Sequence, residues 1–189
     1  MDAVVEACLA GDQSAYATLY EGCAPMILRL CNGILLNAED AEDVVQESFV
    51  YAFKNLGRYD SSRASFKTWL YTIALSRCRN LYRRGHWRHF MGLIGLELTA
   101  PAQETPEACY ADSHARGVIE AALRQLSPRL REAVILRYGH GLTFREMAEI
   151  MDCPQKTAES RVRLAHEQLR VILKPASALL LEELIGTAL

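Results

Sequence analysis

Seven cations and no acidic side chain fall within residues 61–90: Arg63, Lys67, Arg77, Arg79, Arg83, Arg84 and Arg88. Aromatic residues, Trp69 foremost, are set among them. Rings beside cations suit single-stranded DNA, because bases stack on the rings while phosphates pair with the charges. Each neutralised phosphate also releases counterions, so a concentrated block of +7 suits a polyanion. The ordinary alternative is a solvated basic helix face, which the interleaved rings make less attractive. Upstream the balance reverses, with Arg29, Lys54 and Arg58 set against ten acidic side chains in residues 1–60. The overall formal charge of -2 hides both blocks.

Catalytic chemistry has little support. His86 and His89 have no partnered carboxylate, and no nucleophile elbow, phosphate loop or metal-binding helix is present. The chain reads as a non-enzyme with no cofactor and no metal. Six cysteines, Cys8, Cys23, Cys31, Cys78, Cys109 and Cys153, lie far apart with no CxxC pair. A zinc site would need closely spaced ligands, so these read as reduced thiols packed as small hydrophobes, with a thiol sensor left open.

The elements that must position the charges are helical. The 189 residues are half hydrophobic and 23% charged, the composition of one or two globular domains. No apolar run reaches the 18 to 20 or so residues of a membrane span. The N-terminus lacks a basic start and an apolar export core, so a cytoplasmic location is expected. Period-two alternation is missing throughout, which predicts an all-α fold. Gly11 and Asp12 separate a short first helix from one beginning near Gln13, and residues 25–36 read as a further apolar helix. Asn37 stands at an N-cap with Glu39 and Asp40 in the first turn. Ala41, Val45, Ser48, Phe49 and Ala52 then form a buried stripe. Residues 58–65 form a polar loop, and Phe66 opens a long helix running to about Arg84.

Gly92, Gly95, Pro101 and Pro106 break the pattern next, which predicts a flexible linker over 91–117 between domains at 1–90 and 118–174. In the second domain Ser127-Pro128 marks a helix start. That helix ends at Gly139-His140-Gly141. Thr143 and Glu146 make a capping box, Asp152-Cys153-Pro154 a turn, and residues 155–172 a last helix. Two helices joined by a tight turn outline a helix-turn-helix. Residues 175–189 form a tail whose apolar stretch, Ala178–Ile185, either caps this domain or meets a partner.

Taken together, these segments resemble the sigma factors of bacterial RNA polymerase, in the extracytoplasmic-function group of the sigma-70 family. The resemblance covers about 12–84 and 119–170. It rests on AEDAEDVVQESF at 38–49, FKTWLYTIA at 66–74, LSPRLRE at 126–132 and LTFREMAEIM at 142–151. It implies that Asp40, Asp43, Gln46 and Glu47 dock on core RNA polymerase, a role that suits an acidic face able to steer encounter. It implies further that the loop Asp60 to Ser65 and the helix after it hold the -10 element of promoter DNA, with a base flipped out of the stack. Ser62, Arg63, Ser65, Lys67, Trp69, Ser76, Arg79, Asn80, Arg83 and Arg84 are the candidates. Trp69 is divided evenly between a core position and DNA contact. Lys156, Thr157, Glu159, Ser160, Arg161 and Arg163 are the candidates for the -35 duplex.

The chain departs from the family in places. Ser76 stands where Asn is usual, and Asn80 where Asp is frequent. Glu159 replaces a usual cation, so it would repel phosphate yet could accept a hydrogen bond from cytosine. The acidic linker, with Glu97, Glu104, Glu107 and Asp112, fits either a basic channel in the polymerase or an idle tether. The family also implies an anti-sigma partner and a monomer when free. A helix-turn-helix regulator acting without polymerase would not need the helix at 38–54, and a decoy for an anti-sigma protein would not need the +7 block.

Overall fold

The computed structural model describes residues 1–91 and 110–173, and the side chains of 1–84 and 117–173. The expectations for Cys109, Glu97, Glu104, Glu107 and the tail lie outside these residues, as do those for the side chains of His86, Arg88, His89 and Asp112. All regular structure among the described residues is helical.

The first helix, α1 (Asp2–Leu9), meets α2 (Gln13–Leu35) at Asp12, whose carboxylate accepts from the Ser14 N–H at 2.8 Å. No second helix begins near residue 25. The chain passes through Pro25 without a break, because Pro25 is exposed and the carbonyl it leaves without an N–H partner can turn to water. Helix α2 ends at Leu36, a left-handed residue at φ 55°. Asn37 caps α3 (Ala38–Lys54) by accepting from the Asp40 N–H at 3.1 Å. The stripe Ala41, Val45, Ser48, Phe49 and Ala52 is buried. A 3-10 turn (Leu56–Arg58) and the polar loop lead to α4 (Phe66–Met91), which continues past Arg84. Helices α2, α3 and α4 pack together around Leu19, Ile27, Leu30, Phe49, Phe66 and Leu70.

The second domain opens with α5 (Tyr110–Gln125), inside the stretch expected as linker. Pro128 sits at the start of α6 (Pro128–Val134), where its missing N–H is harmless. Ser127 occupies the cap position, yet its side chain makes no capping bond. A π-helical turn (Ile135–Gly139) ends this helix at His140. The capping box holds α7 (Phe144–Met151): Thr143 accepts from the Glu146 N–H, and Glu146 accepts from the Thr143 N–H at 2.8 Å. Asp152 turns the chain at φ 52° into α8 (Gln155–Ile172).

The two helical domains share one apolar core. Ile135 and Leu136 are fully buried, and the π-helical turn packs on α2 while α7 packs on α4. A Cβ on Gly33 would lie 2.9 Å from Ile135 Cδ1, so the glycine lets α2 approach without displacing the Ile135 side chain.

Candidate nucleic-acid interface

Three surfaces carry the candidate residues. The first is the outer side of α3, where Asp43, Gln46 and Glu47 are exposed and Asp40 is half-buried. Their spacing of three and four places them on one helical face. Glu47 is not free there: Arg77 of α4 donates to it at 2.9 Å and lies 5.0 Å from the centre of the Tyr51 ring.

The second surface is the loop and the start of α4. Ser62 donates to Asp60 from both its N–H, at 2.9 Å, and its hydroxyl, at 2.6 Å. These two bonds hold the Asp60 carboxyl below its ordinary pKa. Ser65 caps α4 by accepting from the Thr68 N–H at 3.1 Å. Arg63 and Lys67 are exposed. Trp69 is half-buried in a ring cluster with Tyr59 and Phe66, whose centres lie 5.5 and 5.8 Å away. One side of Trp69 is thus structural, while the rest of the residue stays accessible.

Further along α4 the candidates separate. Ser76, Arg83 and Arg84 are exposed, and Asn80 is half-buried and accepts from Arg83. Arg79 is engaged within the protein. Its Nε donates to both carboxylate oxygens of Glu132 at 3.1 and 3.2 Å, and its Nη2 reaches Oε2 at 2.8 Å and the Met151 carbonyl at 3.3 Å. Glu132 is only 1% exposed.

The third surface is the second helix of the helix-turn-helix. Lys156, Ser160 and Arg163 are exposed at spacings of four and three on α8, which gives one outward stripe. Thr157, Glu159 and Arg161 are half-buried beside it. Glu159 accepts from Gln155 at 2.9 Å, Arg161 donates to the Cys153 sulfur at 3.6 Å, and Arg163 pairs with Glu167 at 2.6 Å.

The likeness to known proteins follows the same division. Residues 19–88 match the model of sigma-70 region 2, and residues 116–169 match that of sigma-70 region 4. The RNA polymerase sigma-H factor of Pseudomonas aeruginosa is 31% identical over 91% of this chain and 93% of its own length. The chain belongs to the extracytoplasmic-function group of the sigma-70 family. It is a sigma factor and directs RNA polymerase in transcription initiation. The sigma factor is also 28% identical to SigW of Bacillus subtilis over 87% of this chain and 91% of that one. With CarQ of Myxococcus xanthus it shares 32% identity over 86% and 91%. Its fold matches that of RpoE from Bartonella quintana, solved with the anti-sigma factor NepR, at a TM-score of 0.67 and 24% identity, over 85% of this chain and 97% of that one. CnrH, solved with the cytosolic domain of CnrY, gives a TM-score of 0.67 at 23% identity, over 89% and 94%.

Sequence reasoning missed the residues that join the two domains. Arg131 is 7% exposed and uses all five of its N–H donors. They reach the carbonyls of Leu123, Arg124 and Leu126 at the end of α5, the Ile34 carbonyl at the end of α2, and the Tyr82 hydroxyl. One guanidinium therefore caps two helix C-termini, where the dipoles favour a cation. Arg124 adds a bond to the Leu36 carbonyl at 2.7 Å. Tyr71 of α4 and His140 Nδ1 lie 2.8 Å apart, and burial, aided by Arg29, lowers the His140 pKa to about 4. The tautomer of the neutral ring decides which of the Tyr71 hydroxyl and His140 Nδ1 donates in this bond. A signal for this set was present. In 128–136, Leu130, Ala133, Val134, Ile135 and Leu136 leave the helix no fully solvated side for Arg131 and Glu132.

Among the described residues no group of three or more His, Cys, Asp or Glu side chains could hold a metal ion, and no helix is long and apolar enough to cross a membrane. Cys8, Cys23, Cys31 and Cys78 are buried free thiols, and Cys153 is half-buried.

Proposed function

We propose that this sigma factor works in the cytoplasm as a non-enzymatic specificity subunit that docks on core RNA polymerase through Asp40, Asp43, Gln46 and Glu47. It reads the -35 duplex through Lys156, Thr157, Glu159, Ser160, Arg161 and Arg163. It helps open the -10 element with Ser62, Arg63, Ser65, Lys67, Trp69, Ser76, Arg79, Asn80, Arg83 and Arg84. The observation that carries this reading is the exposed stripe Lys156, Ser160 and Arg163 on the outer side of the second helix of a helix-turn-helix. Such a helix enters the major groove, with cations on phosphates and shorter polar side chains on base edges.

When free the protein is a monomer, and it is held in check by an anti-sigma partner; RpoE, which shares the fold, was solved in complex with the anti-sigma factor NepR. The test is run-off transcription with purified core polymerase and a pool of genomic promoter fragments. Discrete start sites that depend on the protein support the reading. Duplex binding without any transcript would favour a regulator acting alone.

A further inference from the structure

We infer that the apolar segment Ala178–Ile185 of this chain docks in an open groove between α5 and α8 and holds the last two turns of α8. Counting from Leu164, the residues Gln168, Val171 and Ile172 follow at four, seven and eight along α8, which places all of them on one face. The core does not use that face: Val171 is 86% exposed and Leu164 41%. Gln125, in the last turn of α5, closes the other side, Glu167 stands at the edge, and the groove has a volume of about 520 Å³. Val118 and Ala121 are exposed seven and four residues before Gln125, on the side of α5 that bears it. Single apolar residues on a surface need no partner, whereas a concave apolar row marks a binding site.

Reach and pattern single out the occupant. The chain leaves α8 at Leu173, which is buried with an extended backbone, and Pro175 two residues later cannot continue that helix. The four residues 174–177 reach at most about 14 Å, enough for the chain to double back beside Val171. From Ile172 back to Leu164 the groove is about 12 Å long, and residues 178–185 coiled as a helix would also span about 12 Å. In that segment Leu180, Leu181, Leu184 and Ile185 make one apolar stripe at helical spacing, and Glu182 and Glu183 fall off it. So short a tether gives the segment an effective concentration on the order of mM, ahead of a separate partner of similar affinity. The lining also rejects nucleic acid, since it offers Glu167 and no cation.

Hydrogen exchange of the full chain tests the docking. Amides of residues 178–185 should exchange at least tenfold more slowly than in a free peptide of residues 176–189. Val171→Glu puts a carboxylate in the groove at a position exposed enough for the fold to tolerate it, and should remove that protection. Leu184→Glu alters the segment instead of α8, so it decides the matter even if the first variant misfolds. It should remove the protection too and speed exchange in the last turn of α8. Arg170→Glu places the same side chain beside Val171 but on another side of α8, and should leave the segment as slow as in the wild type. Exchange of the wild-type segment at the free-peptide rate would overturn the inference. So would protection that survives Val171→Glu or Leu184→Glu, which would put the segment elsewhere, or an equal loss in Arg170→Glu, which would mean that α8 itself had loosened. Protection that vanishes on dilution, with a dimer in sedimentation, would give the groove to a second copy and overturn it as well.

Discussion

Single residues on α8 divide between holding the helix and meeting DNA. Lys156 is exposed and makes no ion pair with any described residue, so its charge is free for a phosphate. Lys156→Ala should weaken binding to all duplexes alike and flatten the salt dependence by about one unit of slope. A titration of affinity against salt, on a promoter and on an unrelated duplex, checks this; a loss confined to the promoter would make Lys156 a base reader. Asp152 illustrates the other kind of residue. It sits in the left-handed region, and its carboxylate lies at the negative end of α7. Asp152→Gly should relieve both penalties and stabilise the fold by about 1 kcal/mol, read from chemical denaturation.

At the scale of elements, α3 is the cleanest surface to test. Asp43 and Gln46 are exposed on it and the helix is anchored from its opposite side. Asp43→Lys with Gln46→Lys should therefore leave the helical signal unchanged while lowering affinity for core polymerase tenfold or more, as a charge reversal in a steering surface does. Competition against the unaltered protein for a limited amount of core polymerase measures it.

The legibility of these elements depended on how local their causes are. Asn37 ahead of α3, Pro128 at the start of α6 and the Thr143–Glu146 box act within one helical turn, and each element began where they stand. Pro25 misled because a proline breaks a helix or is absorbed by it according to the face it occupies, which is a tertiary property. The same holds for the row Trp69, Ile73, Ser76, Asn80 and Arg83, which spacings of three and four place along one side of α4. Ile73 is buried, whereas Ser76 and Arg83 are exposed, so the row crosses from core to solvent. The candidate site was legible as a set of charges and rings. What remained hidden was that Arg79 has a carboxylate partner 53 residues away, because nothing local to either residue announces the other.

The whole molecule adds a property that neither domain has alone. His140 is half-buried where the second domain meets α4, and its Nε2, itself buried, has no partner among the described residues. Tyr71 on α4 bonds it and Arg29 on α2 acts on it by charge, while Cys23 on α2 and Glu146 on α7 act on Tyr71. Tyr71 and Cys23 are pushed up by burial and stay neutral in mild acid, while hydrogen bonds from Thr143 hold Glu146 below its ordinary value. His140 is thus the group at this contact that changes charge between its ordinary 6.5 and its closed value of about 4. The sign follows from linkage. Above pH 6.5 the ring is neutral whether the domains are closed or parted, and the closed form keeps its full advantage. As pH falls, the parted form takes up a proton that the closed form resists, so the advantage shrinks until about pH 4. At pH 5.5 the shift corresponds to about 1.4 kcal/mol, or roughly tenfold more of the parted form than at neutral pH. Scattering and hydrogen exchange at pH 7.5 and 5.5 should show this expansion in the wild type, together with faster exchange in α6. In His140→Gln, where no proton can be taken up, the two profiles should coincide. An equal shift in both proteins would place the titrating group elsewhere and leave the Tyr71–His140 contact as packing alone.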